Sequence, residues 1–363
     1  MKSLIEDALN QSEQSLGNPV ASYNPEDEEL QKILQGLKTN IKIIGCGGGG
    51  CNTINRLAET GIIGAELFAA NTDAQHLLMI RAPRKILLGR RVTRGLGAGA
   101  IPQVGEEAAR EAEDEIKGYF NGADIVFITC GLGGGTGTGS TPFVAQLAKE
   151  AGALTVAICT FPFKAEGAVR TENAEWGLER LRNIADTVIV IPNDRLLELV
   201  PKLSINAAFK VADEVLVRAI KGITEIVTKP GLVNLDFNDI KTVMKSGGVA
   251  MIGMGESDDD DRASAAINEA INSPLIDLDI SKATAALVNV TGGSDMTITE
   301  AEQAAEIIQN KINPNARIIW GASVDETIDH TIRVMVVITG VKSKHIFGPA
   351  ERKKEDIGLD VID

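Results

Sequence analysis

The sequence is poor in the residues that carry much of enzyme chemistry. Only three histidines occur, His76, His330 and His345, far apart and without neighbouring ligands at metal spacing, which argues against a zinc site or a histidine-based triad. Four cysteines, Cys46, Cys51, Cys130 and Cys159, form no CxxC pair and read as free thiols of a reducing compartment. Basic side chains are outnumbered 36 to 50 by acidic ones, for a formal net charge of −14, so binding to nucleic acid or to an anionic membrane surface is disfavoured. No continuous apolar stretch could act as a signal or span a bilayer, and Met1-Lys2-Ser3-Leu4 leads into acidic, polar sequence; a cytoplasmic chain without membrane insertion is expected. There is no GxxxxGK[ST] segment, which excludes a P-loop nucleotide site.

At 363 residues the chain exceeds the usual size of one domain, and its 44% apolar content is ample for two cores. Residues 1–39 read as an extension. Asn24-Pro25 offers a cap followed by proline at a first helical position, and Leu30, Ile33, Leu34 and Leu37 keep helical spacing, which predicts one short helix. From Ile41, short apolar runs alternate with helix-like stretches: Ile41 to Ile44, Leu67 to Ala70, Ile125 to Thr129, Leu154 to Cys159 and Val188 to Ile191. That alternation predicts an α/β, Rossmann-like parallel sheet covered on both faces over residues 40–203. A stripe at helical period from Phe209 to Val227, closed by Pro230-Gly231, predicts a long central helix over 204–230. Over 231–340 the runs Val249 to Met254, Thr284 to Val290, Arg317 to Trp320 and Arg333 to Thr339 alternate with two helices and predict an α+β domain. Residues 341–363 form a tail, charged first and then mildly apolar.

Glycine-rich turns punctuate the first sheet. Gly45 to Asn52 follows a strand and opens a helix, so backbone amides can approach an oxyanion at a helix N-terminus; alone, this is equally the turn of a dinucleotide-binding enzyme. The second strand ends in Asn71-Thr72-Asp73. An NAD enzyme usually places an acidic ribose ligand at this tip, so Asn71 weakens that reading while Asp73 sustains it. After Ile125 to Thr129 come Gly131, Gly133, Gly134, Gly135, Gly137 and Gly139, interrupted only by Leu132, Thr136 and Thr138, before Ser140 and Pro142 start a helix. Glycines permit a tight wrap, the threonine hydroxyls are expected to donate to phosphate, and the helix dipole adds positive potential. A second phosphate loop on one sheet is unusual for a dehydrogenase.

The segment Gly133-Gly134-Gly135-Thr136-Gly137-Thr138-Gly139-Ser140 resembles the signature of the tubulin/FtsZ family, and residues 40 to 340 are similar to that family's archaeal FtsZ branch. The resemblance implies a GTP-binding domain at 40–203, a core helix at 204–230, a GTPase-activating domain at 231–340, hydrolysis of GTP to GDP and phosphate, and head-to-tail polymerisation. It implies that Gly48, Gly49, Gly50, Cys51 and Asn52 form the first nucleotide loop, with Cys51 where relatives often have a smaller residue. Asn71 and Asp73 match the second. Gly97, Ala98 and Gly99, within Arg94 to Gly99, match the third, which senses the γ-phosphate side and orders with Mg²⁺. Glu166 and Arg170, four apart after the strand ending at Thr160, form a surface ion pair on the plain reading and contact the ribose on the family's. Asp213 is the residue placed to accept from guanine N1–H and the exocyclic amine, which adenine lacks. Phe209, one turn earlier, is either a stacking face for the base or part of the helix's buried stripe, and Asn193 is a further base or ribose contact.

Asn234, Asp236 and Asp239, in Asn234-Leu235-Asp236-Phe237-Asn238-Asp239, resemble the family's synergy loop, where carboxylates orient a water near a γ-phosphate. The predicted helix before them would be about 39 Å long, so they are expected to act on a neighbouring subunit's nucleotide. They equally suit the start of the helix holding Ile240, Val243 and Met244. The tail Ile357-Gly358-Leu359-Asp360-Val361-Ile362-Asp363 resembles the peptides that engage membrane-anchoring partners, of SepF type in archaea. The expected role is a cytoplasmic GTPase of the midcell division ring. A regulator of cell shape is the near alternative and an NAD-dependent enzyme using Gly45 to Gly50 the distant one.

Overall fold

Runs of apolar residues become strands here because both faces of the sheet are covered. A computed structural model of the protein describes residues 39–199, 204–228, 233, 236–245, 248–276, 280 and 283–340. The helix expected near residues 30–37, Asn234 and the tail 341–363 lie outside the described residues. The first strands are β1 (Ile41–Cys46), β2 (Ala65–Asn71), β3 (Arg84–Leu87), β4 (Ile125–Gly131), β5 (Leu154–Phe161) and β6 (Thr187–Pro192), and β1 is buried at every position. The later ones are β7 (Gly248–Ser257), β8 (Ala285–Gly292), β9 (Arg317–Val324) and β10 (Ile332–Thr339).

Among the described residues these ten strands form one sheet in the order β3-β2-β1-β4-β5-β6-β7-β10-β8-β9. Pairing is parallel from β3 through β7, and β10 is antiparallel to both β7 and β8. The α+β portion therefore continues the first sheet, through three parallel pairs between Thr187–Ile189 and Gly248–Ala250. The chain runs outward from β1 to β2 and β3, then returns to β4 on the other side of β1. That reversal opens a crevice beyond the C-terminal ends of β1 and β4, where ligands of open α/β sheets bind.

Helices α1 (Gly47–Thr60), α2 (Ala74–Met79), α3 (Pro102–Glu111), α4 (Glu113–Phe120), α5 (Thr136–Glu150), α6 (Ala168–Ile184) and α7 (Asn193–Leu199) connect the first strands, with a short 3₁₀ turn at Lys164–Glu166. Helix α8 (Ile205–Thr228) is the long central helix, followed by α9 (Phe237–Met244), α10 (Arg262–Ile271) and α11 (Ile298–Lys311). One face of the sheet packs Ile43, Phe127, Ile158 and Ile189 against Ile54 and Leu57 of α1, Leu216 and Ile220 of α8, and Ile240 of α9. The other packs Ile44, Val126 and Ile128 against Ile116, Phe120, Val144 and Leu178.

Helix α8 has 24 residues, about 36 Å, close to the length that the stripe predicts. Its ends are located by their neighbours. Phe209 meets the ring of Phe163, just beyond β5, whereas Thr228 lies 2.7 Å from where a Cβ on Gly64, at the start of β2, would sit. At that same lower end the Thr187 hydroxyl, where β6 begins, donates to the Met244 carbonyl of α9. The helix thus runs the full depth of the sheet.

Strand β3 and helices α3 and α4 have no counterpart in the sequence reading. β3 is an edge strand of four residues, two of them Arg84 and Lys85. The buried stripe of α3 is Gly105, Ala108 and Ala109, too small to stand out as apolar, because its backbone lies directly on α5.

That close approach yields a test. A Cβ at Gly139 in α5 would collide with the Pro102 carbonyl, whereas one at Gly118 in α4 would meet open space. Gly139→Ala is expected to cost about 1–3 kcal/mol of unfolding free energy, and Gly118→Ala to add up to about 1 kcal/mol, in denaturant titrations. Equal effects at the two positions would contradict this packing.

Candidate functional site

The site begins with the register of β1 and β4, which sets Cys46 opposite Cys130 so that the turns leaving both strands start side by side. Each turn enters a helix at once, α1 at Gly47 and α5 at Thr136. The first amides of a helix have no intrahelical acceptor and carry the positive end of its dipole. The two first turns touch through backbone: a Cβ on Gly47, whose φ is 71°, would lie 2.6 Å from the Gly137 nitrogen, and one on Gly49 would lie 3.2 Å from that of Gly131. Gly48 and Gly134 adjoin open space. The N-terminal amides of two helices, those of Gly48, Gly49 and Gly50 and those of Gly134, Thr136 and Gly137, therefore border a single crevice, a ready cradle for a polyphosphate.

The three loops anticipated as separate elements are one hydrogen-bonded surface. The Gly97 amide donates to the Thr72 carbonyl at 3.2 Å, the Ala74 amide to Gly95 at 3.1 Å, and the Gly135 amide to Gly99 at 2.9 Å. Asn173 Nδ2 reaches the carbonyls of Ala100 and Gly133, at 3.0 and 3.3 Å, and ties Ala98 and its neighbours to the glycine loop. The threonines differ from expectation. Thr138 is fully buried and its hydroxyl accepts from the Gly133 amide at 2.8 Å, while the Thr136 and Thr72 hydroxyls bond each other at 2.6 Å. They hold the loop in shape, and the open donors are backbone amides.

Cys51 is also turned inward. Its thiol lies against the carbonyls of Gly45 and Ala70, at 3.7 and 3.6 Å, and burial pushes its pKa up to about 12, so it fastens α1 to the strands. Asn52 is exposed on the rim. Its Oδ1 faces His76 Nε2 at 3.1 Å, and His76 Nδ1 faces Asn71 Nδ2 at 3.1 Å. Asp73 caps α2 by accepting from the His76 amide at 3.0 Å. His76 escapes a sequence search for metal or triad spacing; its signal is its place in the first turn of a helix capped by Asp73.

Farther along the crevice, Glu166 and Arg170 form the ion pair of the plain reading, at 2.9 Å, and Glu166 also accepts from the Phe163 amide at 2.9 Å. Phe209 is 39% exposed, set edge-on to Phe163 with ring centroids 5.1 Å apart, so it lies at the margin of the core with a face available for stacking. Asn193 is buried and its Oδ1 has no hydrogen-bond partner among the described residues. The adjacent Asp194 holds the Lys164 amide at 3.1 Å, which brings Asn193 to the same end as Phe163 and Phe209. Asp213, one turn after Phe209, is pushed up to about 6 by burial, with Arg56 Nε, 3.9 Å away, pulling weakly in the opposite direction.

Asp236 and Asp239 lie elsewhere. Asp236 caps α9, accepting from the Asn238 amide at 3.1 Å, and both carboxylates are exposed at the start of α9, which follows the lower end of α8 in the chain. Among the described residues no three histidine, cysteine or acidic side chains gather as a metal centre. Among the described residues no helix is long and apolar enough to cross a membrane.

Two family models match the chain: Tubulin/FtsZ family, GTPase domain, over residues 40–201, and FtsZ family, C-terminal domain, over 248–342. The chain is 59% identical over 368 residues to the Cell division protein FtsZ 1 of Archaeoglobus fulgidus, covering 100% of this chain and 99% of that protein. It is 57% identical over 373 residues to the Cell division protein FtsZ of Haloferax mediterranei, covering 98% and 99%. Among solved structures it is similar to an empty FtsZ dimer from M. jannaschii, with a TM-score of 0.84 and 55% identity over 88% of this chain and 93% of that one.

The raised pKa of Asp213 has a sign that can be checked without nucleotide. The folded protein binds this proton more tightly than the unfolded chain, whose aspartates titrate near about 3.9. Ionised Asp213 therefore destabilises the fold: stability is highest below that value and declines as pH rises through the window to about 6. Nucleotide-free Asp213→Asn is expected to unfold at higher denaturant than wild type above pH 6, by up to about 2 kcal/mol, and to match it near pH 4. A pH-independent difference would show that burial of the charge is not its cause.

Proposed function

The chain belongs to the tubulin/FtsZ family of GTPases, and from that membership we propose that it assembles head to tail into filaments of the cell-division ring and hydrolyses GTP where one subunit meets the next. The observation that supports this reading is the length of the helix between the two halves of the chemistry. The amide cradle lies beyond the C-terminal ends of β1 and β4, whereas Asp236 and Asp239 follow the other end of α8, a helix about 36 Å long. Carboxylates so placed act on a neighbour's nucleotide, and a contact that joins top to bottom repeats without closing.

GTP fits the crevice in one sense. Its phosphates take the amides of Gly48 to Gly50 and those of Gly134, Thr136 and Gly137 within the Gly133 to Gly139 loop, with Gly97, Ala98 and Gly99 enclosing the γ-phosphate. Glu166 and Arg170 meet the ribose, Phe209 stacks on the base, and Asn193 and Asp213 accept from guanine donors. The Asn193 Oδ1 and the desolvated Asp213 carboxylate support that selection, because neither has a strong partner among the described residues and a donor-bearing base would supply one. A Mg²⁺ ion bound with GTP would be held through the phosphates beside Gly97, Ala98 and Gly99, where it would supply positive charge against that developing on the leaving GDP.

When a second subunit docks, Asp236 and Asp239 orient and polarise the water that attacks the γ-phosphorus in line with the leaving GDP. Asn234 belongs to the same loop. The division of labour follows the ranges 40–203 for binding, 204–230 for spacing and 231–340 for activation. The acidic and apolar tail within 341–363 serves a membrane-anchoring partner of SepF type, and the protein works in the cytoplasm at the midcell ring.

Light scattering should rise on addition of GTP and fall as it is converted to GDP, and turnover per subunit should increase with protein concentration. Asp236→Asn keeps the helix cap and removes the charge, so it should bind GTP as wild type does while losing most GTPase activity. Mixing it with a variant disabled in the Gly133 to Ser140 loop should restore part of the turnover. Turnover independent of concentration, or no recovery on mixing, refutes the shared site.

A further inference from the structure

Four polar groups run in single file from the second loop to the rim of the cradle. The chain starts at the Asp73 backbone amide, which donates to Asn71 Oδ1 at 3.4 Å. Asn71 is buried, and with its oxygen facing that amide its Nδ2 must face His76 Nδ1, at 3.1 Å. An amide nitrogen can only donate, so Nδ1 accepts and the ring proton resides on Nε2. Nε2–H then donates to Asn52 Oδ1 at 3.1 Å. The imidazole is held in place because its own backbone amide donates to Asp73 Oδ1 at 3.0 Å. A backbone N–H cannot flip, so the polarity of every member is dictated from the first link.

The last link has a consequence for the ligand. With Oδ1 of Asn52 engaged by His76, its Nδ2, for which no protein acceptor is present among the described residues, is turned away from the imidazole. Asn52 lies one turn beyond the open amides of Gly48 to Gly50 and is exposed. Without His76 the side chain could present either end to the crevice, and its oxygen would repel phosphate. We propose that His76 is a positioning residue of the nucleotide site, which acts through Asn52 by locking its carboxamide with the donor end toward the bound anion. This rests on the assignment of the crevice to GTP. The relay makes the site selective for an acceptor at that point, and couples the second loop to the first through an imidazole that has one permitted tautomer.

The test is a double-mutant cycle on the full chain, read by titration with GTP and with GDP and by steady-state GTPase kinetics. His76→Ala should weaken GTP binding roughly tenfold, the loss of one oriented hydrogen bond to a charged group, and raise KM with little change in kcat. His76→Gln, whose terminal amide can deliver an N–H to Asn52 Oδ1, should recover most of the loss. In an Asn52→Ala background, His76→Ala should cost nothing further. Multiplicative losses in the double variant, or failure of His76→Gln to recover binding while its melting temperature matches wild type, overturn the relay. If His76→Ala does not fold, the nitrogen chemical shifts of the wild-type ring decide: an Nε2-protonated neutral tautomer supports the relay and an Nδ1-protonated one refutes it. Failure of wild type to bind GTP at all would instead defeat the underlying assignment, and the ring tautomer would still be measurable.

Discussion

The structure depends on two helices beginning in backbone contact. β1 and β4 are adjacent parallel strands, and α1 and α5 depart from their ends so closely that a Cβ at Gly47 would press on the Gly137 amide and one at Gly50 would collide with the Thr129 carbonyl. Glycine is therefore required by sterics, independently of any ligand. What the contact creates is a concentration of unpaired amide donors at two positive helix ends, a field that no single turn could supply. The surrounding loops are recruited to hold it: Gly99 accepts from Gly135, Thr72 pairs with Thr136, and Thr138 closes on Gly133.

Helix α8 separates that local site from the carboxylates at the start of α9. It presents Phe209 beside Phe163 at one end, with Asp213 one turn on, then runs beneath the sheet as part of its core, with Leu216, Ile220 and Ile223 buried. A buried helix of this length fixes the separation between its Phe209 end and the segment leading to α9. Because α9 is tied back to β6 through the Thr187–Met244 hydrogen bond, the lower carboxylates are positioned by the same sheet that positions the cradle.

The end of α8 near Phe163 holds binding capacity in reserve. Among the described residues Asp213 is desolvated and faces only a distant arginine, and the buried Asn193 Oδ1 has no donor. Both arrangements are unfavourable in the empty protein, and both are relieved by a ligand that brings N–H groups to them. By contrast Glu166 and Arg170 satisfy one another in advance, so any ligand that engages either must compete with an existing ion pair.

The strands, the long helix and the glycine loops were legible in the sequence because each rests on local periodicity or on glycine's freedom at a turn. β3 and α3 were not, since an edge strand of charged residues and a helix face of glycine and alanine leave no apolar period to read. The sequence by itself determined that an anion is cradled at strand ends and that carboxylates follow a helix too long to bend back to it. Only the tertiary structure decided that the loop threonines brace the backbone, that Cys51 faces inward, that Phe209 keeps an open face, and that His76 stands between Asn52 and Asn71. The physical reason is that side-chain direction at these positions is set by partners distant in the chain, which brings Thr72 to Thr136 and Asn52 to His76 through strand register and helix placement that no local pattern encodes.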